Sequence, residues 1–145
     1  MICAYCKKDA PATREHVIPA FIYRFQKELQ AKVIGWNEVA NKMVGGEHQV
    51  KDVCEKCNGG VLSSLDAYGK EFLIANGFLT QNYIQRRAEL SYDYDRLVRW
   101  LLKISFNSTR TDQGHVHLFE KFIPYILNGS PSPQKIDFAV LATLA

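Results

Sequence analysis

The four cysteines of this chain form two pairs with the same spacing, Cys3/Cys6 and Cys54/Cys57. A Cys-x-x-Cys turn directs two sulfurs toward one point, and two such turns supply the four thiolates of a closed structural zinc shell. A closed shell has no open position for a substrate. We therefore expect these cysteines to hold a structural Zn²⁺, and any catalytic ion to bind oxygen and nitrogen ligands elsewhere.

Two other interpretations of the cysteines are a pair of disulfides and a redox-active Cys-x-x-Cys turn. The residues before Cys3 leave no room for a secretory signal, so we expect a reducing compartment, the cytoplasm, where disulfides are rare. A thioredoxin-like pair would need a preceding strand to seat it, and Cys3 lies almost at the first residue. Zinc binding agrees with both the spacing and the compartment.

The tripeptide Glu15-His16-Val17 lies between the two cysteine pairs, and Asn58 directly follows the second pair. Hydrolysis of a phosphodiester requires an activated water and a cation on the phosphate and the leaving oxygen. Histidine accepts a proton near neutral pH, so His16 is a candidate general base. On extended backbone the Glu15 side chain points away from that of His16, and a bend or bulge would be needed to bring the two together.

Each of these residues also has a simpler interpretation. His16 can hydrogen-bond a loop carbonyl, Glu15 can pair with Arg14 at the surface, and Asn58 can cap the helix that follows it. His48, His115 and His117 have no matching partners in the pattern and are interpreted as surface or packing residues.

The apolar spacing predicts the elements that must position these groups. Helical periodicity covers 20–29, about 60–76, and a strong segment from Asp93 or Asp95 to about residue 110, with a shorter helix within 115–127. The glycines and asparagines of 33–46 indicate strand and loop. We expect extended backbone at 50–53, and a strand at 83–92, where apolar and polar residues alternate. Residues 129–133 form a loop, and the apolar stretch 136–145 is either a buried final strand or the interior of a longer chain.

Each Cys-x-x-Cys turn is called a knuckle below. Along the chain, the first knuckle is followed by an extended segment that ends in Glu-His, then by a loop, a strand, the second knuckle and a helix. Together with an Arg-Glu-His-Val-Ile-Pro segment at 14–19 and the Asn after the second knuckle, this order resembles the HNH endonuclease family, also called His-Me finger or ββα-metal nucleases. The resemblance covers residues 3 to about 66. The middle Asn of the family has no clear equivalent: Gln49 and, further upstream, Asn41 are the candidates.

The resemblance implies an α+β fold, with a zinc-bound ββα unit at 1–66 and a mainly helical extension at 67–145 packed on it; whether that extension is truncated at its C-terminus is left open. It also implies a metal-dependent endonuclease that leaves 5′-phosphate and 3′-hydroxyl ends. In that scheme His16 is the general base, and Glu15 and Asn58 bind one catalytic Mg²⁺ or Mn²⁺.

The charge distribution bears on a nucleic-acid partner, for which DNA is the favoured form. The net charge of +3 over 145 residues is modest, but the segment 86–110 carries six cations against three acids. Within the predicted helix, Arg96, Arg99, Lys103 and Arg110 fall on one face opposite the apolar stripe. This face either grips phosphates or is only the solvated side of an amphipathic helix; Arg14, Arg96, Arg99 and Lys103 are the candidate nucleic-acid contacts.

A different class of function also fits the sequence: a zinc-stabilised module that binds nucleic acid or protein and cuts nothing. No apolar run approaches the roughly 20 residues needed to span a bilayer, so we expect no membrane role. The sequence leaves the choice of DNA or RNA, the sequence preference, the biological role and the oligomeric state open.

Overall fold

The computed structural model describes residues 1–32, 34–37, 41–82, 89–112 and 115–133. The chain is a mixed α/β protein: two small antiparallel sheets and one helix come first in the sequence, and the remaining helices follow. Its elements are β1 (Ala12–His16), α1 (Ala20–Glu28), β2 (Ile34–Asn37), β3 (Lys42–Gly45), β4 (Gln49–Cys54), a short helical segment (Cys57–Leu62) that is kinked at Gly60, α2 (Ser63–Ala75), α3 (Tyr94–Asp112), α4 (Val116–Glu120) and α5 (Ile123–Asn128).

The pairing of β1 with β4 brings the first cysteine pair, which precedes β1, close to the second pair, which begins at the end of β4. The strands are antiparallel, with Ala12 opposite Cys54 and His16 opposite Gln49. The register shifts between Thr13 and Glu15, because one residue of β1 faces two of β4 at that point, as in a β-bulge. Strands β2 and β3 form a separate hairpin between α1 and β4.

Helix α3 runs through the centre of the molecule. Its buried apolar side chains Val98, Leu102 and Phe106 join the same core as β4, the second knuckle and α5. Helices α2 and α3 approach closely where Gly69 faces Trp100: a Cβ at position 69 would lie 2.2 Å from the Trp100 ring. A side chain there would force the helices apart.

The structure confirms most of the predicted elements. The helices predicted over 20–29, 60–76, 93–110 and 115–127 are present, the last as the two short helices α4 and α5, and 50–53 lies within β4. The strand predicted over 83–92 is not formed at 89–92, while 83–88 and the apolar stretch 136–145 lie outside the described residues. The predicted boundary at residue 66 falls inside α2, and one apolar cluster contains side chains from both sides of it.

Within the described residues, no helix combines the length and apolar content that crossing a bilayer requires.

Candidate functional site

The four cysteine sulfurs converge on one point. All four Sγ atoms lie within 4.8 Å of one another, and those of Cys6 and Cys54 are 3.7 Å apart. Zn–S bonds of about 2.3 Å in a tetrahedron place the sulfurs about 3.8 Å apart, so the cluster has nearly the dimensions of a tetrathiolate site. The four cysteines are therefore positioned to hold a metal ion such as zinc.

The electrostatics of the cluster favour a cation at its centre. Burial opposes ionisation of Cys3, but backbone N–H groups of Cys54, Cys6 and Tyr5 that point at its sulfur lower its pKa to about 6. Burial raises the pKa of Cys57 strongly, and the neighbouring sulfurs raise it further. Four thiolates can coexist at this distance only if a positive charge offsets their repulsion, and a coordinated divalent ion supplies it.

His16 lies at the end of β1, beside the first residues of β4. Its Nε2 lies 2.8 Å from Oε2 of Glu47 and 2.9 Å from Nε2 of Gln49. Its Nδ1 has no hydrogen-bond partner among the described residues, and the side chain keeps 25% of its surface exposed. The ring is thus held through Nε2 while part of its surface stays exposed, and both properties suit a general base.

Of the two candidates for the middle residue of the pattern, the structure places Gln49 beside His16. Gln49 is the cross-strand partner of His16, and its side chain contacts the ring. Asn41 lies instead in the turn that joins β2 to β3, with a positive φ of 47°.

Glu15 does not share the environment of His16. Its side chain is 6% exposed, and its Oε1 lies 2.6 Å from Nζ of Lys103, which also contacts Asp66 at 2.7 Å. The alternation expected of a strand therefore holds, and the bulge in the β1–β4 pairing does not turn Glu15 toward the imidazole. The carboxylate is occupied by an interior ion pair, so it does not fit the role of a ligand to a catalytic ion.

Asn58 ties the second knuckle to β1. Its Nδ2 donates to Oγ1 of Thr13 at 2.8 Å and to the carbonyl oxygen of Arg14 at 3.0 Å. No side-chain cap is formed at the start of the kinked helical segment, so the capping alternative for Asn58 is not observed. Asn58 Oδ1 has no partner among the described residues. Because Asn58 and Glu15 have separate sets of partners, the structure does not bring them together as one ligand set.

Asn107 of α3 binds β1 on the face of the strand that carries the Glu15 side chain, opposite to the His16 ring. Its Nδ2 donates to Oε1 of Glu15 and to the backbone oxygen of His16, both at 3.1 Å. Burial raises the pKa of Tyr5, so its hydroxyl stays protonated and donates to Oδ1 of Asn107. The backbone at His16 is therefore fixed by a buried, satisfied polar network.

The prediction of an exposed basic face on α3 is wrong for three of its four cations. Lys103 is fully buried, Arg99 is 16% exposed and binds carbonyl oxygens of α5, and Arg110 is 7% exposed beside Asp52 and over the Tyr5 and Phe106 rings. Arg96 is exposed and lies over the Tyr68 ring. Arg99, Lys103 and Arg110 therefore stabilise the contacts of α3 with its neighbours.

Of the predicted cations, Arg14 and Arg96 are exposed, and Arg14 is the one on the same strand as His16. The Arg14 side chain has no ion pair or hydrogen bond with any described residue. It is two residues before His16 on β1, so both side chains project from the same face of the strand. A phosphate held by Arg14 would lie on the side of the strand that presents the imidazole.

Sequence reasoning missed two residues of this site, Glu47 and Asn107. Glu47 follows the Gly45-Gly46 turn and reaches His16 only because β1 and β4 pair in the observed register. Asn107 resembled an ordinary polar position in a helix. No local pattern identifies either residue, although a single Asn on the apolar side of a long helix is a signal that a buried polar partner exists.

Comparison of the chain with protein-family models, with curated proteins and with solved structures found no match.

Proposed function

We propose that this chain is a metal-dependent endonuclease of the HNH class that hydrolyses phosphodiester bonds of nucleic acid, with DNA as the favoured substrate. The observation that supports it best is the state of His16. Its ring is anchored through Nε2 by Glu47, unpartnered at Nδ1 among the described residues, and partly exposed. Histidine held in this way is suited to take a proton from water at neutral pH.

The scaffold in this proposal is a Zn²⁺ ion bound by Cys3, Cys6, Cys54 and Cys57. The ion joins the N-terminal knuckle to the end of β4 and the start of the following helix. Because β4 pairs with β1, the ion indirectly sets the position of His16. Its role is therefore structural, and the chemistry takes place at the other end of β1.

Two residues of the chain act in the proposed reaction. Arg14 binds a phosphate oxygen, and His16 takes a proton from a water whose oxygen then attacks phosphorus. The bond from phosphorus to the 3′ oxygen breaks, and that oxygen leaves with a proton from solvent. The products are a 5′-phosphate and a 3′-hydroxyl, as the HNH resemblance implies.

The HNH resemblance also implies a second divalent ion, Mg²⁺ or Mn²⁺, which would place positive charge against the phosphate and the leaving oxygen. Asn58 fits as a contributor, because its Oδ1 has no partner among the described residues. Glu15 does not fit, because Lys103 and Asn107 already bind its buried carboxylate.

The test is a cleavage assay on supercoiled plasmid, single-stranded DNA and RNA with Mg²⁺ or Mn²⁺ added. Wild-type protein should nick at least one substrate, and His16→Ala should not. His117→Ala is the matched control, because His117 is exposed on α4 and has no place in the proposed site. We expect this variant to cut like wild type.

Equal cleavage by wild type and His16→Ala would overturn the assignment of the general base. If neither protein cuts any substrate but both bind nucleic acid with the same affinity, the chain is a zinc-stabilised binding module instead.

A further inference from the structure

Two neighbours of His16 contact the same ring nitrogen and require different protonation states of it. Both Oε2 of Glu47 and Nε2 of Gln49 lie within hydrogen-bond distance of the same nitrogen, Nε2 of His16. In a neutral imidazole that nitrogen either donates a hydrogen bond or accepts one. Glu47 and the amide nitrogen of Gln49 require opposite states of it, so only one of them sets the tautomer.

The charge of Glu47 decides between the two states. Hydrogen bonds from Lys27 and His16 lower the pKa of Glu47, so its carboxylate is ionised at neutral pH and can only accept. If Nε2 carried a lone pair, that lone pair would face an anionic oxygen at 2.8 Å, which is repulsive. If Nε2 carries the proton, the contact is a charge-assisted hydrogen bond.

Gln49 adapts to the protonated nitrogen at no structural cost. A half-turn of its amide exchanges nitrogen and oxygen, which have nearly the same shape, and then presents an acceptor to the N–H group. Glu47 has no such freedom, because its other oxygen, Oε1, accepts from Nζ of Lys27 at 2.6 Å. Lys27 on α1 therefore orients the carboxylate toward the imidazole.

We propose that Glu47 is a positioning residue that holds His16 in the Nε2–H tautomer, so that Nδ1 is the nitrogen that accepts the proton of water. Two contacts connect α1 to the end of β1: Lys27 binds one carboxylate oxygen of Glu47, and the other oxygen binds His16. The assignment of Nδ1 as the reacting atom rests on the proposed hydrolysis. The tautomer itself does not, and it can be measured without a substrate.

The test is nitrogen-15 NMR of the imidazole in uniformly labelled protein, at a pH where His16 is neutral. We expect wild-type His16 to show the Nε2–H tautomer, and Glu47→Ala to shift toward a mixture of both tautomers. Glu71→Ala removes an exposed carboxylate from α2 and serves as the control. It should leave the His16 signals in place.

Single-turnover cleavage gives the second measurement. Glu47→Ala should slow it about 10-fold or more, and less than the loss of a buried triad carboxylate does, because Glu47 is partly exposed and solvent can replace some of its effect. Glu47→Gln should recover part of the rate, since its amide oxygen still accepts from Nε2–H.

An Nδ1–H tautomer in wild type, or an unchanged tautomer in Glu47→Ala, overturns the role of Glu47. Absence of cleavage in every protein, with the expected tautomers observed, would leave the role of Glu47 in place and reject the hydrolase instead. Zinc content and circular dichroism of each variant verify that the fold is unaltered.

Discussion

Nζ of Lys103 lies 2.6 Å from Oε1 of Glu15, and neither side chain has more than 6% of its surface exposed. The same ammonium group contacts both carboxylate oxygens of Asp66 at 2.7 Å. One buried cation thus joins α3 to β1 and to α2. Because Glu15 precedes His16, this ion pair helps to fix the strand that carries the imidazole, and it occupies the carboxylate that the sequence had suggested as a metal ligand.

Lys103→Met should destabilise the protein by about 3–5 kcal/mol, because it leaves the buried Glu15 carboxylate without its cation. Urea denaturation gives the free energy of unfolding. Lys51→Met is the control, since Lys51 is exposed and has no partner among the described residues, and its effect should stay within about 0.5 kcal/mol. Equal effects of the two substitutions would show that the ion pair contributes nothing specific.

The ion pair also shows how far the sequence predicts the fold. The helical period located α1, α2 and α3, because apolar spacing is local information. The same period placed Lys103 on a solvated face, which is wrong. The partner that draws Lys103 inward is Glu15, far away in the chain, and only the packing of α3 on β1 reveals it.

For the candidate site too, the sequence predicted the part that depends on local spacing and not the part that depends on contacts distant in the chain. The spacing of the cysteines predicted their convergence, because each Cys-x-x-Cys turn is a local structure and two turns complete one ligand shell. The contact between His16 and Glu47 depends instead on which residues of β1 and β4 face each other. That register comes from the whole sheet and its bulge, so residue types alone do not predict it.

Removal of one thiol should unfold the protein, whereas removal of the His16 imidazole should leave the fold and the zinc content unchanged. Cys54→Ser should lose zinc and much of its helical circular dichroism, because the binding energy of a structural zinc, roughly 10–16 kcal/mol, is also folding energy. His16→Ala should keep one zinc per chain and the wild-type spectrum. Elemental analysis of the purified proteins measures this. A full complement of zinc in Cys54→Ser would refute the four-cysteine site.

Reversal of the charge at Arg14 should weaken nucleic-acid binding. Arg14→Glu replaces a phosphate contact with a repulsion, so the dependence of log affinity on log salt should flatten by about one unit of slope. Lys70→Glu makes the same kind of charge reversal at an exposed position in the middle of α2, and should have little effect. Fluorescence anisotropy with a labelled duplex at several salt concentrations measures both. Indistinguishable slopes for the two variants would remove Arg14 from the binding surface.

The contacts of Glu47 predict a pH dependence of stability. Hydrogen bonds from Lys27 and His16 lower its pKa in the folded protein, so its stabilising contribution is present above the usual glutamate value of 4.5. That contribution is lost as the pH falls through the lowered folded value. The gap in unfolding free energy between wild type and Glu47→Gln should therefore narrow as the pH falls below 4.5. Urea titrations at a series of pH values below 4.5 measure this gap, and a gap that widens over that range would contradict the stabilising role of the Glu47 carboxylate.

The most direct test of the account is the single-turnover rate of phosphodiester cleavage by zinc-replete wild type and zinc-replete His16→Ala, at neutral pH with Mg²⁺ or Mn²⁺. A positioned general base contributes about 10²–10⁴-fold, so His16→Ala should be slower by at least about two orders of magnitude while its zinc content and spectrum are unchanged. Equal rates in two correctly folded proteins would contradict the claim that the imidazole at the end of β1 activates the attacking water.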